Sequence, residues 1–152
     1  MPMAVGASSF VQAELNSAAP DASTKKISAK ELRADLVIIG GGLAGAAAAT
    51  LLAQAGKPPM LLERDAAPAD KICGEFLSTE AQAHLAALGF DVGRLGGAPI
   101  GRIRLVAGAR SAEAALPFTA IGVSRRVLDA ALLDHAAAAG AEIKRGVSVR
   151  GI

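Results

Sequence analysis

Aromatic residues are nearly absent. The 152-residue chain has four phenylalanines and neither Trp nor Tyr, so it lacks the ring platforms on which single-stranded bases stack. It holds one cysteine, Cys73. That excludes an internal disulfide framework and a cysteine-built zinc site, and fits a reducing, cytoplasmic location. An excess of charge is missing too: 16 Lys and Arg face 14 Asp and Glu, a net of +2. So small a surplus makes no basic patch, and nucleic acid is not an expected partner. The two histidines, His84 and His135, have no second ligand at a metal-binding spacing, and no metal site is expected.

What the chain does have is small and apolar. The hydrophobic fraction is 52%, and alanine supplies nearly half of it, leaving larger side chains for one modest core in a one-domain length. Residues 1–33 read as a disordered leader of Ala, Ser, Pro and Asn with scattered charge. A secretory signal needs a basic start and an unbroken apolar run, which Gln12, Glu14 and Asn16 interrupt; Glu14 and Asp21 argue against an organelle transit peptide. Between Leu36 and Gly56 no charge occurs, over a length just sufficient to span a bilayer. Three consecutive glycines, Gly40, Gly41 and Gly42, break that run, and a strand-turn-helix reading explains them where a membrane span does not.

The segment Asp35–Ile39 is β-branched and apolar, as a strand buried on both faces should be. A turn follows over Gly40–Gly45, then a helix over Ala46–Ala55 with Gly56 as its stop. Pro58 and Pro59 lead into Met60–Leu62, which ends in Glu63, so the unit is a βαβ with a parallel pair. Residues 65–77 read as a loop. Thr79 with Gln82 forms a capping box for a helix running to Leu88 and closed by Gly89. Gly101–Ala107 alternates arginine with apolar residues as a half-exposed strand. The Gly108-Ala109 turn brings it back as a weaker strand ending near Leu116. Ser124 caps a third helix that stops at Gly140. Glu142–Lys144 and Val147–Ile152 follow as a third parallel strand and its sequel.

The turn reads Gly40-Gly-Gly-Leu-Ala-Gly45, a G-x-G-x-x-G that follows a buried strand and opens a helix. An acid, Glu63, closes the next strand roughly 20 residues on, which is the dinucleotide-binding pattern. Gly40 permits the tight turn, Gly42 lets the backbone approach a pyrophosphate, and Gly45 lets the helix pack close to the strand. Free N–H groups at the helix start, with the positive end of its dipole, bind phosphate without a basic side chain. Glu63 accepts both hydroxyls of the adenosine ribose and repels a 2′-phosphate, so an NADP-type adenosine does not suit this site. Arg125 begins a helix, where a cation opposes the dipole. That placement suggests an anionic partner, and pyrophosphate would serve, with Arg126 as the local alternative. Arg102 and Arg104 share one side of their strand and read as a solvated face. A glycine-rich turn that binds nothing is the alternative to the whole assignment.

The spacing from Gly40 through Ala49 and Gly56 to Glu63 resembles the N-terminal FAD-binding fingerprint of the two-dinucleotide-binding-domain flavoproteins. Lys71-Ile-Cys-Gly-Glu-Phe-Leu77 resembles the K-x-C-G loop of the geranylgeranyl-reductase-like branch. Gly122-Val-Ser-Arg-Arg-Val-Leu-Asp129, with Leu132-Leu133 and Gly140-Ala141, resembles a block shared by that branch and the aromatic-ring flavin monooxygenases. The fold implied is α/β, a Rossmann-like βαβ FAD-binding fold of the para-hydroxybenzoate-hydroxylase type, incomplete and with an inserted β-hairpin. Glu75 departs from the glycine that many members carry after Cys-Gly, which leaves the sub-branch open.

By that resemblance the cofactor-binding residues are Gly40, Gly42, Leu43, Ala44, Gly45, Glu63, Arg64, Cys73, Arg125 and Val149. Arg64 would line the adenosine pocket, Arg125 reach the pyrophosphate or adenine side, and Val149 lie close to the adenine. Cys73 reads as packing or flavin-loop geometry, with substrate contact and redox chemistry as alternatives. Residues 34–152 would be the N-terminal portion of an FAD-binding domain, without the second FAD motif or the substrate domain. The function implied is FAD-dependent oxidoreduction, by hydroxylation or double-bond reduction of a small molecule, with NAD(P)H reducing the flavin and the isolated chain inactive. A non-catalytic dinucleotide-binding module or a gene relic is the competing reading, and no catalytic residue is assigned.

Overall fold

In the computed structural model, residues 12–15, 33–72 and 75–151 are described. The chain forms two compact units, one from the segment up to Ala67 together with the segment from Ala136 onward, the other from Pro68–His135. Most of the leader, with Cys73, lies outside the described residues. Within the leader, Gln12–Leu15 forms a strand, β1.

The first unit is built on a parallel sheet of β2 (Val37–Ile39), β3 (Met60–Glu63) and β7 (Glu142–Arg145), in that spatial order. Val37 sits opposite Met60, Leu61 opposite Ile143, and Glu63 opposite Arg145. The bonds from Met60 N–H to the Leu36 carbonyl and from Glu142 N–H to the Pro59 carbonyl, both 2.9 Å, start the two ladders. Pro59 thus contributes its carbonyl at a position where its missing donor is not needed. Between β2 and β3 runs α1 (Leu43–Gln54), whose Ala46, Ala49 and Thr50 are fully buried. Small residues on that stripe let the helix lie close to the sheet, and the Thr50 hydroxyl donates back to the Ala46 carbonyl at 2.9 Å. The helix starts three residues before the expected Ala46, because Leu43, Ala44 and Gly45 already carry helical backbone. On one side of the sheet Met60, Leu62 and Val147 form an apolar cluster against which Val37 and Val149 pack. After β7, Gly146 turns the chain with φ +73° into β8 (Val147–Gly151), which pairs antiparallel with β1.

The second unit carries β4 (Phe76–Leu77), α2 (Thr79–Ala87), a 3₁₀ turn over Val92–Leu95, β5 (Ala98–Ala107), β6 (Arg110–Gly122) and most of α3 (Arg125–Ala138). Its sheet has the order β4-β6-β5. The return strand of the hairpin does not fade near Leu116 but continues to Gly122. Between the pairs Arg102–Ala115 and Ile100–Ala120 the register shifts, so four residues of β6 face a single residue of β5. Pro117 falls inside that bulge, where its missing N–H breaks no ladder bond. Phe76 and Leu77, expected in a loop, pair with Gly122 and Ile121 beyond the bulge.

The α2 cap also differs from the expected box. Ser78, extended at φ −64° and ψ 168°, accepts from the Ala81 N–H at 3.2 Å, one residue earlier than Thr79. Gln82 is drawn away from the box. Its side-chain amide donates to the carbonyls of Leu77 at 3.1 Å and Thr119 at 3.2 Å, tying α2 to both β4 and β6. Ser124 caps α3 as expected, accepting from Val127 N–H at 3.3 Å. His135 binds the Leu88 carbonyl through Nε2 at 2.9 Å and meets Phe90 edge-on. It therefore joins α3 to the end of α2 as a packing residue. Replacing Ser78 by alanine should lower stability by about 1 kcal/mol, whereas Thr79→Ala should be close to neutral. Denaturant midpoints of the two variants check the order, and an equal loss from both would refute the cap assignment.

Candidate dinucleotide site

The site lies in the first unit, where the carboxyl ends of three parallel strands meet the start of α1. Gly40 continues the β2 ladder, donating to the Leu62 carbonyl at 2.8 Å. It then turns with φ +101°, a conformation that L side chains rarely adopt. Gly45 is constrained differently. A Cβ on it would stand 1.9 Å from the Gly40 carbonyl oxygen and 3.5 Å from the Ile38 methyl Cγ2. The first distance lies far inside any contact, so the helix can begin this close to the strand end only with glycine there. The expected packing role of Gly45 holds, with the carbonyl of the turn itself as the tightest neighbour.

The helix start leaves its backbone donors without a side-chain cap. Gly42 is its N-cap, in extended backbone, and no acid lies in the first turn. The leading N–H groups of Leu43, Ala44 and Gly45 precede the first intrahelical bond, which runs from Ala46 to Gly42 at 2.9 Å. Such N–H groups, with the dipole behind them, are the donors that bind phosphate.

Glu63 ends β3 facing this turn. One carboxylate oxygen accepts a hydrogen bond from the Gly41 N–H, and the other accepts from the Asp65 N–H at 2.8 Å. The two backbone donors clamp the carboxylate plane, and each oxygen keeps a lone pair for a further hydroxyl. The role of Gly41 as the tether of Glu63 is not legible from the motif, which treats that position as variable. Arg64 beside it is largely exposed and pairs with Asp65 at 3.5 Å.

The remaining expected residues fall elsewhere. Val149 is on β8 of the same unit, and its side chain packs against the Met60, Leu62 and Val147 cluster. Arg125 belongs to the second unit, and its anionic partner there is Asp129, one helical turn on. The two make a bidentate pair, Nε to Oδ1 at 2.7 Å and Nη2 to Oδ2 at 3.0 Å, with the side chains 16% and 11% exposed. An i, i+4 spacing of Arg and Asp was a usable signal for that pair. Arg102 and Arg104 are not simply solvated: both reach Glu113 across the hairpin, Arg102 at 3.5 Å. Cys73 is outside the described residues.

A glycine turn at strand ends, an uncapped helix start and a clamped acid form one arrangement, and residues 33–152 match the FAD binding domain family. The chain belongs to that family. Among solved structures, this FAD-binding chain is similar to a flavoprotein/dehydrogenase from Cytophaga hutchinsonii, at 27% identity and a TM-score of 0.67. That match covers 78% of this chain and 31% of the other. A geranylgeranyl bacteriochlorophyll reductase-like protein from Thermoplasma acidophilum shares the fold at 23% identity and a TM-score of 0.60, over 74% of this chain and 30% of that one. In sequence, menaquinone reductase of Mycolicibacterium smegmatis is 44% identical over 57 residues, 38% of this chain and 14% of that protein. The chain therefore spans less than a third of the length of these relatives. Among the described residues no helix is long and apolar enough to cross a membrane.

The residues present fit an adenine dinucleotide. The turn leaves backbone donors at the helix start, and at Gly40 an added Cβ would meet nothing within 4 Å, so the space beside the turn is open. Gly45→Ala should open the turn, lowering stability by about 2 kcal/mol or more and weakening dinucleotide binding at least about tenfold. Thermal melting and an FAD titration of the variant check both. A variant that melts and binds like the parent would show that the close approach does not matter.

Proposed function

We propose that the chain is the adenosine-binding front part of an FAD-dependent oxidoreductase, and that it holds FAD by the Gly40–Gly45 turn and Glu63. The observation that carries this reading is the Glu63 carboxylate clamped by the Gly41 and Asp65 N–H groups at the end of β3. In that position it presents acceptors to the ribose hydroxyls while the start of α1 presents donors to the pyrophosphate. Arg64 lines the adenosine side. Val149 contributes through its backbone, since its side chain is engaged in the core.

Bound FAD would supply the hydride and oxygen chemistry, with the protein providing binding and orientation. The similarity to menaquinone reductase favours reduction of a quinone or double bond over hydroxylation. In this reading NAD(P)H is the electron donor and a small apolar molecule the substrate. The single cysteine is consistent with a cytoplasmic location.

The test is a titration of the purified chain with FAD, followed by the flavin's visible absorption and fluorescence, with NAD as control. Saturable FAD binding is expected. Glu63→Ala should weaken it about tenfold or more, the range for losing hydrogen bonds to a charged group. Glu63→Gln should lose nearly as much, because its amide would set a donor against one of the two backbone N–H groups. Folded, soluble protein that binds no FAD, or binding indifferent to Glu63, would overturn the proposal.

A further inference from the structure

From the geometry of the strand ends we infer that Arg145 is an adenine-contacting residue of this site in addition to the Val149 backbone, its planar guanidinium lying against the base; the inference rests on the reading of Glu63 as the ribose acceptor. Arg145 is the last residue of β7, and its Cα pairs with that of Glu63. Paired residues of neighbouring strands project to the same face of a sheet. Ile38 pairs with Leu61, two residues before Glu63, and the would-be Cβ of Gly45 meets Ile38. Ile38, Glu63 and Arg145 thus share the sheet face on which α1 lies.

The order across the strand ends follows. The glycine turn stands at β2, Glu63 at β3 and Arg145 at β7, each step about 4.8 Å. A ligand with its pyrophosphate on the turn and its ribose on Glu63 continues in that direction, and the group attached beyond the ribose is the adenine. Gly146, turning at φ +73°, ends β7 immediately after Arg145 and holds it at this rim.

The charges nearby support a ligand role. Arg145 is half-buried, and its side chain makes no ion pair with any described residue. Its neighbour Glu63 is directed instead to the Gly41 and Asp65 N–H groups. Arg64 pairs with Asp65, and Lys144, on the other face, pairs with Glu142 at 2.7 Å. A guanidinium left beside a satisfied carboxylate suits a flat, neutral π-system with nitrogen acceptors, since it stacks on the face and donates at the edge.

The test uses the purified chain with Arg145→Met and Arg145→Lys, titrated with FAD, ADP, 2′,5′-ADP and inorganic pyrophosphate. Arg145→Met should weaken FAD and ADP by the same factor, about three- to tenfold. Pyrophosphate, which needs only the turn, should be unaffected, and the melting temperature unchanged. Arg145→Lys should fall between, keeping charge but losing the plane. Unchanged ADP binding by Arg145→Met would overturn the inference and leave the FAD reading standing. An equal loss for pyrophosphate, or a loss confined to 2′,5′-ADP, would also overturn it, marking a general phosphate site. A wild-type chain that binds neither FAD nor ADP would sink the FAD reading and this inference together.

Discussion

The approach of α1 to the end of β2 is the contact on which the rest of the first unit depends. Helix and strand meet where one residue's Cβ would lie inside another's carbonyl oxygen, so the joint exists only without that atom. Once the joint closes, the leading N–H groups of α1 stand at the carboxyl edge of the sheet, and the Gly41 N–H comes within reach of Glu63. The acid is then held from two sides by backbone. Sheet register carries the same edge outward to Arg145. The proposed dinucleotide site is thereby assembled from backbone donors, one acid and strand ends, with little need of basic side chains.

Elsewhere charge is settled locally. Arg64 with Asp65, the two hairpin arginines with Glu113, and Arg94 with Asp91 are exposed pairs that contribute little stability in water. The Arg125–Asp129 pair differs, since both side chains are largely removed from solvent. Losing one member would strand the other in a poorly solvated place, a far larger penalty than losing a surface pair. It fixes the start of α3, in a block of sequence whose arginine alone suggested an external anion.

Much of the first unit was legible because its signals are local. The β-branched run, the three glycines and the alanine helix specify the first strand, turn and helix within a few residues, and Glu63 falls at the end of the second strand. The second unit was less legible. The extension of β6 depends on a bulge around Pro117, and a proline there argues locally for stopping. β4 is two residues long and exists only by pairing with the far end of β6. The choice of Ser78 over Thr79 as cap follows from Gln82 finding better acceptors at Leu77 and Thr119, one of them 37 positions away. Exposed Ile39 and Leu51, at 51% and 54%, mark apolar surface around β2, which among the described strands is paired on one side only.

The chemistry of the turn is a local property of the chain. Glycine at 40 and 45 answers to backbone geometry and the acid at 63 to hydrogen bonding, and these act over short stretches of chain. Tertiary structure decided which groups meet: Gly41 with Glu63, Arg125 with Asp129, Val149 with the core, and Arg145 at the rim beside the acid. Those pairings depend on sheet register and on competition among donors for acceptors, which distant parts of the chain settle only when they pack together.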